Sequence, residues 1–276
     1  MCSLRIFRSF VDQLMMIREI LTMMVQQTLT QLRSMKLDGM ALGLEEQLTL
    51  PGSATLPFED RVGLLVEREL AHRGSRRLKR LLHKARLKHV QASLEDLDTR
   101  ASRGLDAKLL ASLAHGEWIE RGQTVLICGA TGVGKTWLTC ALAQKACRLG
   151  KSAYYTRLSR LLEELRVARG EGTHKRRLAA IAKLDVLALD DWGLHALDAY
   201  GREDLLEIID DRAEQRGTII AAQLPTEHWH AWIGDATIGD AVMDRILNRA
   251  HRVTLKGESL RRHRPGDKPA PTSSAS

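Results

Sequence analysis

Cysteine is scarce in this chain, and the few cysteines do not form a recognisable pair. The four cysteines among 276 residues include no Cys-x-x-Cys motif. Cys128, Cys140 and Cys147 fall in apolar segments that are predicted to be buried. We therefore interpret them as small core residues of a protein in a reducing compartment, the cytoplasm, and not as a disulfide framework or a zinc site.

Long apolar runs are also missing. No stretch of about 18 apolar residues occurs, so neither a transmembrane helix nor a membrane partner is expected. The first 23 residues are fairly apolar, but they are interrupted by Arg5, Arg8, Asp12, Arg18 and Glu19. These charges argue against a signal peptide. Residues 1–23 are predicted to be an N-terminal extension outside the functional fold.

One segment has no acidic residue at all. Between Arg73 and Lys88 the chain has eight basic residues, with leucines recurring between them, which predicts an amphipathic basic helix. Such a face is either a solvated helix surface or a surface that grips nucleic-acid phosphates without distinguishing bases. The net charge of +8 and a pI near 9.5 favour an anionic partner. We expect double-stranded DNA as this partner, contacted by Arg76, Arg77, Lys79, Arg80 and Lys84.

The most informative segment that is present is a phosphate-binding loop. It matches G-x-x-x-x-G-K-[ST] and consists of Gly129, Ala130, Thr131, Gly132, Val133, Gly134, Lys135 and Thr136. An apolar run precedes it and a helix-forming run follows it, which is the required order of strand, loop and helix. The loop predicts ATP and Mg²⁺ as cofactors, with Lys135 on the β and γ phosphates and Thr136 on the metal. An ordinary glycine-rich turn before a helix is the alternative.

The chain around this loop alternates regularly between strand and helix patterns. Five strands are predicted, at residues 124–128, 152–156, 186–190, 218–222 and 252–255. This alternation predicts an α/β fold, a five-stranded parallel sheet flanked by helices, in a domain of residues 101–260. A smaller all-helical domain is predicted for residues 24–100 and a disordered tail for residues 261–276, with no C-terminal lid domain.

Three further side chains are predicted to complete a catalytic site. Asp190 and Asp191 follow the apolar third strand, where Asp190 would hold Mg²⁺ and Asp191 would orient the attacking water. Gln223 follows the fourth strand, where an amide would touch the γ-phosphate or the water. A solvated strand end or helix cap is the alternative for the two acids, and a strand-end hydrogen bond is equally plausible for Gln223.

Two more basic features have open interpretations. Arg245 is the candidate arginine finger, inserted into the ATP of a neighbouring subunit, and a surface pair with Asp244 or Asp240 is the alternative. A second basic cluster, Lys175, Arg176 and Arg177, would line a DNA channel or simply begin a solvated helix.

Taken together, the sequence resembles the IstB branch of the DnaC-like AAA+ ATPases, helpers of insertion-sequence transposition. The resemblance covers about residues 24 to 262. Besides the phosphate loop, it is carried by Gln27-Thr28-Leu29, Met35-Lys36-Leu37, Leu189-Asp190-Asp191-Trp192-Gly193, Gln223-Leu224-Pro225, Asp244-Arg245-Ile246 and Leu255-Lys256-Gly257-Glu258-Ser259. One departure is Asp191, where many AAA+ relatives have glutamate.

The resemblance implies an ATPase that forms a homo-oligomer with ATP at its subunit interfaces. Such a helper assembles on target DNA, deforms it and delivers it to a cognate transposase. A helicase loader of the DnaC type is the alternative within the fold, and it would need a replicative helicase as partner. A small-molecule P-loop kinase is the alternative from another class, but it leaves the basic segment unexplained. A nucleotide-gated binding protein that barely hydrolyses ATP is a third possibility.

Overall fold

The computed structural model describes residues 2–97 and 104–260. The chain divides into two compact units between Arg77 and Leu78. The predicted tail, residues 261–276, lies outside the described residues, as do residues 98–103 near the predicted domain boundary.

The second unit is built on five parallel strands. They are β1 (Thr124–Gly129), β2 (Ala153–Arg157), β3 (Val186–Trp192), β4 (Gly217–Ala222) and β5 (His251–Leu255). Their order across the sheet is β2-β3-β4-β1-β5, and every neighbouring pair is parallel. The predicted α/β fold is confirmed, because each predicted strand is present. Continuous buried runs mark β1, β3 and β4, which are covered on both faces, whereas the edge strand β5 alternates buried and more exposed residues.

Helices cover both faces of this sheet. They are α4 (Ala107–His115), α5 (Glu117–Glu120), α6 (Lys135–Arg148), α7 (Leu158–Gly170), α8 (His174–Ala182), α9 (Ala199–Arg212), α10 (Trp229–Ile233) and α11 (Ala236–Leu247). One buried cluster joins the sheet to α4, α5 and α6, and a second joins its other face to the helices from α7 to α11. Among the described residues, which end at Leu260, no α-helix follows β5.

The first unit is helical. It contains α1 (Cys2–Ser34), α2 (Asp38–Thr49), a short 3-10 helix (Ser53–Thr55) and the beginning of α3 (Phe58–Ala85). The helices α2 and α3 approach closely at Gly39, where a Cβ atom would lie 2.6 Å from the Cα atom of Glu69. The buried Glu69 carboxylate accepts a hydrogen bond from the backbone of Met40 at 3.0 Å and pairs with Arg73. Residues 2–23, predicted as part of an extension, form the first turns of α1.

Two details differ from the sequence-based expectation. The predicted basic helix is not a separate element but the last part of one continuous helix, α3, because no proline interrupts the segment after Pro57. The division between the units also lies earlier than the predicted boundary near residue 100. Ala85, Leu87 and Ala92 are buried in the same core cluster as β1, so the end of α3 belongs to the sheet-containing unit.

No helix in residues 2–97 and 104–260 combines the length and the apolar character needed to cross a bilayer.

Arg212, at the end of α9, ties the helical layer to the sheet. Its side chain is 1% exposed. The guanidinium donates to the carbonyls of Ile181, Leu184 and Gly217 at 2.8, 2.9 and 2.5 Å, and to the hydroxyl of Thr218 at 3.2 Å. One buried cation therefore satisfies acceptors at the end of α8, in the loop after α8 and at the start of β4.

We expect Arg212→Met to lower the free energy of unfolding by about 3–5 kcal/mol, because it leaves several buried acceptors unpaired. Chemical denaturation measures this loss. Arg216→Gln is the matched control: Arg216 is half-exposed and pairs with Asp185 at 2.9 Å, so its removal should cost at most about 1 kcal/mol. Equal losses for the two variants would contradict the assignment.

Candidate active site

The predicted site residues meet at one edge of the sheet. Because all five strands are parallel, their carboxyl ends lie at the same edge. Gly129 ends β1, Asp190 and Asp191 lie near the end of β3, and Gln223 directly follows β4. The strand order places β4 between β1 and β3, so these three groups surround one crevice.

The phosphate loop curls between β1 and α6 as its glycines require. Gly132 and Gly134 have φ angles of 87° and 100°, a left-handed region that side chains with a Cβ rarely adopt. Lys135 is the first residue of α6, and its amine donates to the carbonyls of Gly129 and Ala130 at 2.8 Å each. The ammonium group thus lies inside the loop, beside backbone N–H groups at a helix N-terminus, an arrangement that suits a phosphate group.

Asp190 is the centre of the site's hydrogen bonding. It is 2% exposed. Its Oδ2 atom accepts hydrogen bonds from the hydroxyls of Thr136 and Tyr155, both at 2.7 Å, and its Oδ1 atom accepts from the backbone of Asp191 at 3.0 Å. Burial, followed by the adjacent Asp190 carboxylate, raises the pKa of the Tyr155 phenol far above its usual value, so the phenol remains a donor. Thr136 and Asp190 together present two hard oxygen atoms that fit Mg²⁺.

Asp191 sits in a β-bulge. Leu189 pairs with Ile220 and Trp192 pairs with Ala222, so β3 has one more residue than β4 over this interval. Asp191 has a φ of 58°, a left-handed conformation that aspartate tolerates better than most residues. Its carboxylate is 26% exposed, and Oδ2 lies 3.2 Å from Nε of Arg157 at the end of β2. The bulge therefore places a second acid, next to Asp190, at the carboxyl end of β3.

Gln223 contacts the phosphate loop directly. Its Oε1 atom accepts a hydrogen bond from the Thr131 hydroxyl at 2.6 Å. This contact is the strand-end hydrogen bond that was the alternative for Gln223, and it holds the amide beside the phosphate loop. Its contact to the γ-phosphate or the water stays a prediction.

An apolar pocket of about 160 Å³ lies beside the loop. Its lining includes Val133, Trp137, Leu105, Leu255 and Leu260. The pocket adjoins Gly134, at the start of α6, and it is large enough for a purine base. The sequence did not reveal it, because its walls come from segments far apart in the chain.

The segments that carry the family resemblance pack around the site. The Leu260 backbone donates to the carbonyl of Gly132 at 3.0 Å, and a Cβ atom on Gly132 would lie 2.1 Å from the Ser259 hydroxyl. A Cβ atom on Gly193 would lie 2.9 Å from the side chain of Leu224. The Leu-Lys-Gly-Glu-Ser run thus leads onto the phosphate loop, and the Asp-Asp-Trp-Gly and Gln-Leu-Pro runs pack against each other.

Arg245 lies apart from the nucleotide crevice of its own chain. Its Nε atom pairs with Asp210 at 2.5 Å, and its Nη1 atom donates to the Ala241 carbonyl at 3.0 Å. Asp210 lies in the last turn of α9, which leads into the amino end of β4, so this pair is at the opposite edge of the sheet. The pair with Asp244 or Asp240 that the sequence offered as an alternative is not formed. The arginine-finger role stays a prediction.

The predicted DNA-contacting residues differ in how they are held. Lys79, Arg80 and Lys84 are exposed on α3. Arg76 and Arg77 are exposed as well, but Arg76 pairs with Asp38 at 3.0 Å, and Arg77 also has a partner within the chain. Lys175 and Arg176 are exposed in the first turn of α8.

Arg177 does not fit the role of a solvent-facing DNA contact. Its guanidinium pairs with Glu164 at 2.7 Å and lies 5.5 Å from the centre of the Tyr154 ring. His174, which begins α8, lies 2.7 Å from the buried Asp204 carboxylate. These internal contacts show that part of the second basic cluster holds α8 in place.

Sequence reasoning missed the partners of the two acids, Tyr155 and Arg157. Both lie on β2, which pairs with β3 so that Arg157 is opposite Asp190. The available signal was the polar end of the predicted second strand. In residues 2–97 and 104–260 no group of three or more His, Cys, Asp and Glu residues is arranged to hold a metal ion. Magnesium that enters with a nucleotide needs fewer protein ligands.

Known proteins with similar sequences are named as ATP-binding proteins of insertion sequences. The chain is 56% identical over 204 residues to an ATP-binding protein of insertion sequence IS1162 from Pseudomonas fluorescens, covering 74% of this chain and 88% of the relative. It is 45% identical over 241 residues to the insertion sequence ATP-binding protein y4pL of Sinorhizobium fredii, covering 87% and 98% of the two chains.

Solved structures identify the fold. The DnaI structure covers 64% of this chain and 94% of its own length at a TM-score of 0.51 and 22% identity. The DnaC helicase loader covers 60% and 97% at a TM-score of 0.50 and 23% identity. The fold is that of an AAA+ P-loop protein with an N-terminal helical region. Residues 30–266 match the family described as IstB-like ATP binding protein, and the chain belongs to this family.

Proposed function

We propose that this protein hydrolyses ATP, assembles with ATP on double-stranded DNA, and assists the transposase of its insertion sequence. The observation that carries the catalytic part is the 2.7 Å hydrogen bond between Thr136 and Asp190. It joins the phosphate loop to the acids of β3, so that a triphosphate on the loop would place its γ-phosphate beside Asp191. The names of the relatives, ATP-binding proteins of insertion sequences, support the transposition part.

Lys135 and the loop N–H groups would bind the β and γ phosphates of ATP. The apolar pocket beside Trp137 would hold the base. Thr136 and Asp190 would hold Mg²⁺, which neutralises charge on the phosphate oxygens when it is bound. Tyr155 positions Asp190 for this task, since its phenol donates to the same carboxylate oxygen as Thr136 does.

Asp191 is the proposed general base. A water molecule attacks the γ-phosphorus, and the bond between this phosphorus and the bridging oxygen of ADP breaks. The water's proton passes to the Asp191 carboxylate, and the products are ADP and inorganic phosphate. Gln223, held by Thr131, would orient the water or the γ-phosphate.

Assembly would complete the site. Arg245 lies at the edge of the sheet opposite its own nucleotide crevice, so it can act as an arginine finger only on the ATP of another subunit. The exposed basic face of α3 would hold duplex phosphates by charge, without reading sequence. Nucleotide would thereby control whether the protein assembles on DNA.

The first test concerns hydrolysis. We expect Asp191→Asn to lower the rate constant for phosphate release by about 10²- to 10⁴-fold, the usual contribution of a general base, while nucleotide affinity is retained. Single-turnover phosphate release with saturating ATP and duplex DNA measures it. Asp211→Asn removes an exposed carboxylate of α9 outside the site and should have no effect. A wild-type protein that binds ATP but releases no phosphate would contradict the ATPase proposal.

The second test separates an arginine finger from a structural pair. Arg245→Ala should leave ATP binding nearly intact and lower assembly-dependent turnover by about 10³-fold. Asp210→Ala breaks the same intrachain pair but leaves the guanidinium in place, so turnover should largely survive. Equal losses for the two variants would mean that Arg245 acts only through its pair with Asp210.

The third test concerns the DNA surface. The logarithm of DNA affinity should fall linearly with the logarithm of salt concentration, with a slope of about 0.9 per phosphate neutralised. Charge reversal at Lys79, Arg80 and Lys84 should flatten this slope more than reversal at Arg76, because Arg76 is already paired with Asp38. Arg121→Glu is the control, because Arg121 lies just before the amino end of β1 and outside α3. An unchanged slope in the triple variant would place the DNA surface elsewhere.

A further inference from the structure

The segment that follows β5, residues 256–260, packs on the phosphate loop, and we call this segment the strap. Its last residue makes a backbone hydrogen bond to the loop, because the N–H group of Leu260 donates to the Gly132 carbonyl at 3.0 Å. The residue before it is equally close, since a Cβ atom on Gly132 would lie 2.1 Å from the Ser259 hydroxyl oxygen. The strap therefore touches the loop at a point where only glycine leaves enough room.

The end of β5 approaches the loop in the same way. A Cβ atom on Gly129 would lie 2.5 Å from the carbonyl oxygen of Leu255. The phosphate-loop motif fixes glycine at Gly129 and Gly134 but leaves the position of Gly132 open. The glycine at position 132 thus serves the contact with the strap as well as the curvature of the loop, where its φ angle is 87°.

The hydrogen bond from the strap fixes the direction of one peptide group in the loop. In a planar trans peptide the C=O group and the following N–H group point in opposite directions. Because the Gly132 carbonyl points towards Leu260, the N–H group of Val133 points away from the strap. Loops of this kind bind phosphate through consecutive backbone N–H groups, so the strap restrains one member of that set.

The strap also forms part of the apolar pocket to which the base of ATP is assigned. Leu255 and Leu260 line this pocket of about 160 Å³ together with Trp137. Leu260 is 54% exposed, so a base in the pocket would cover apolar surface that otherwise faces solvent. One residue therefore lines the base pocket and is hydrogen-bonded to the phosphate loop.

We propose that the strap joins the base pocket and the phosphate loop into one binding unit. A base that packs on Leu260 holds the strap against the loop, and the strap holds the loop N–H groups in position for the phosphates. The ligand class that benefits from both effects is a nucleoside triphosphate, whereas a polyphosphate without a base gains only the second. Leu260 is thus a positioning residue for the triphosphate. The inference rests on the proposed function, because it uses the ATP site assigned there.

The test compares the affinities of ATP and of base-free tripolyphosphate, each with Mg²⁺ and without DNA, by isothermal titration calorimetry. Leu260→Pro removes the N–H group that bonds to the loop, so it should weaken both ligands by about two- to tenfold, the range for one lost hydrogen bond. Leu260→Ala keeps this N–H group but shortens the pocket wall. It should weaken ATP by about four- to tenfold, the contact of one or two methylene groups, and leave tripolyphosphate at its wild-type affinity.

Two control variants separate these effects from general damage. Leu260→Met conserves the volume of the pocket wall and should bind ATP nearly as the wild type does. Leu149→Ala removes another partly exposed leucine, 42% exposed, at the end of α6 far from the phosphate loop, and should change neither affinity.

Amide hydrogen exchange tests the same coupling in the wild type, so the proposal can be checked even if Leu260→Pro proves unstable. Adenosine carries no phosphate, yet at saturation it should slow exchange in residues 129–134 by about twofold or more, because it holds the strap on the loop. Leu260→Ala should lose this effect.

The outcomes separate this inference from the function it rests on. Wild-type affinity for tripolyphosphate in Leu260→Pro, or loop exchange that ignores adenosine, would show that the strap does not position the loop. Equal losses for both ligands in Leu260→Ala would show that the side chain does not act through the base. These results leave hydrolysis and DNA binding untouched, since neither enters the measurements. A wild type that binds neither ligand would overturn the proposed function together with this inference.

Discussion

The buried Asp190 carboxylate is the group on which the site depends. Placing a carboxylate in the core is costly unless donors surround it, and here Thr136, Tyr155 and the backbone of Asp191 supply them. These donors come from α6, β2 and β3, so one carboxylate fixes the phosphate loop relative to two strands. The strand order makes this possible, because β4 separates β1 from β3 and leaves a crevice at their carboxyl ends.

The fold could be predicted from sequence to within a few residues, and the reason is physical. A strand that is buried on both faces must be apolar throughout, so the runs from Thr124 and from Val186 are visible without any knowledge of their neighbours. The phosphate loop is equally local, since its conformation depends on glycines at fixed spacing. The continuous α3 was missed because its composition changes from mixed to basic near Arg73, although no helix breaker stands there.

The partners in the site could not be predicted in this way. Which side chains lie beside Asp190 and Asp191 depends on sheet order and register, and no local pattern specifies either. Arg157 reaches Asp191 only because β2 pairs with β3 and because one extra residue in β3 re-aims the acid. A one-residue change in register turns side chains to the other face, so even correctly placed strands would not have identified this contact.

Burial divides the charged contacts of this protein into fixed and adjustable ones. Removing a partner from a buried network such as that of Arg212 costs about 3–5 kcal/mol, so such a network resists an exchange of partners. An exposed pair is worth about 1 kcal/mol or less, which is within reach of a bound phosphate or a neighbouring subunit. Arg157 with Asp191 and Arg245 with Asp210 are both of this second kind. Arg245, which is proposed to change partner during the cycle, therefore has a present contact that is weak enough to be exchanged, whereas the donors around Asp190 resist such an exchange.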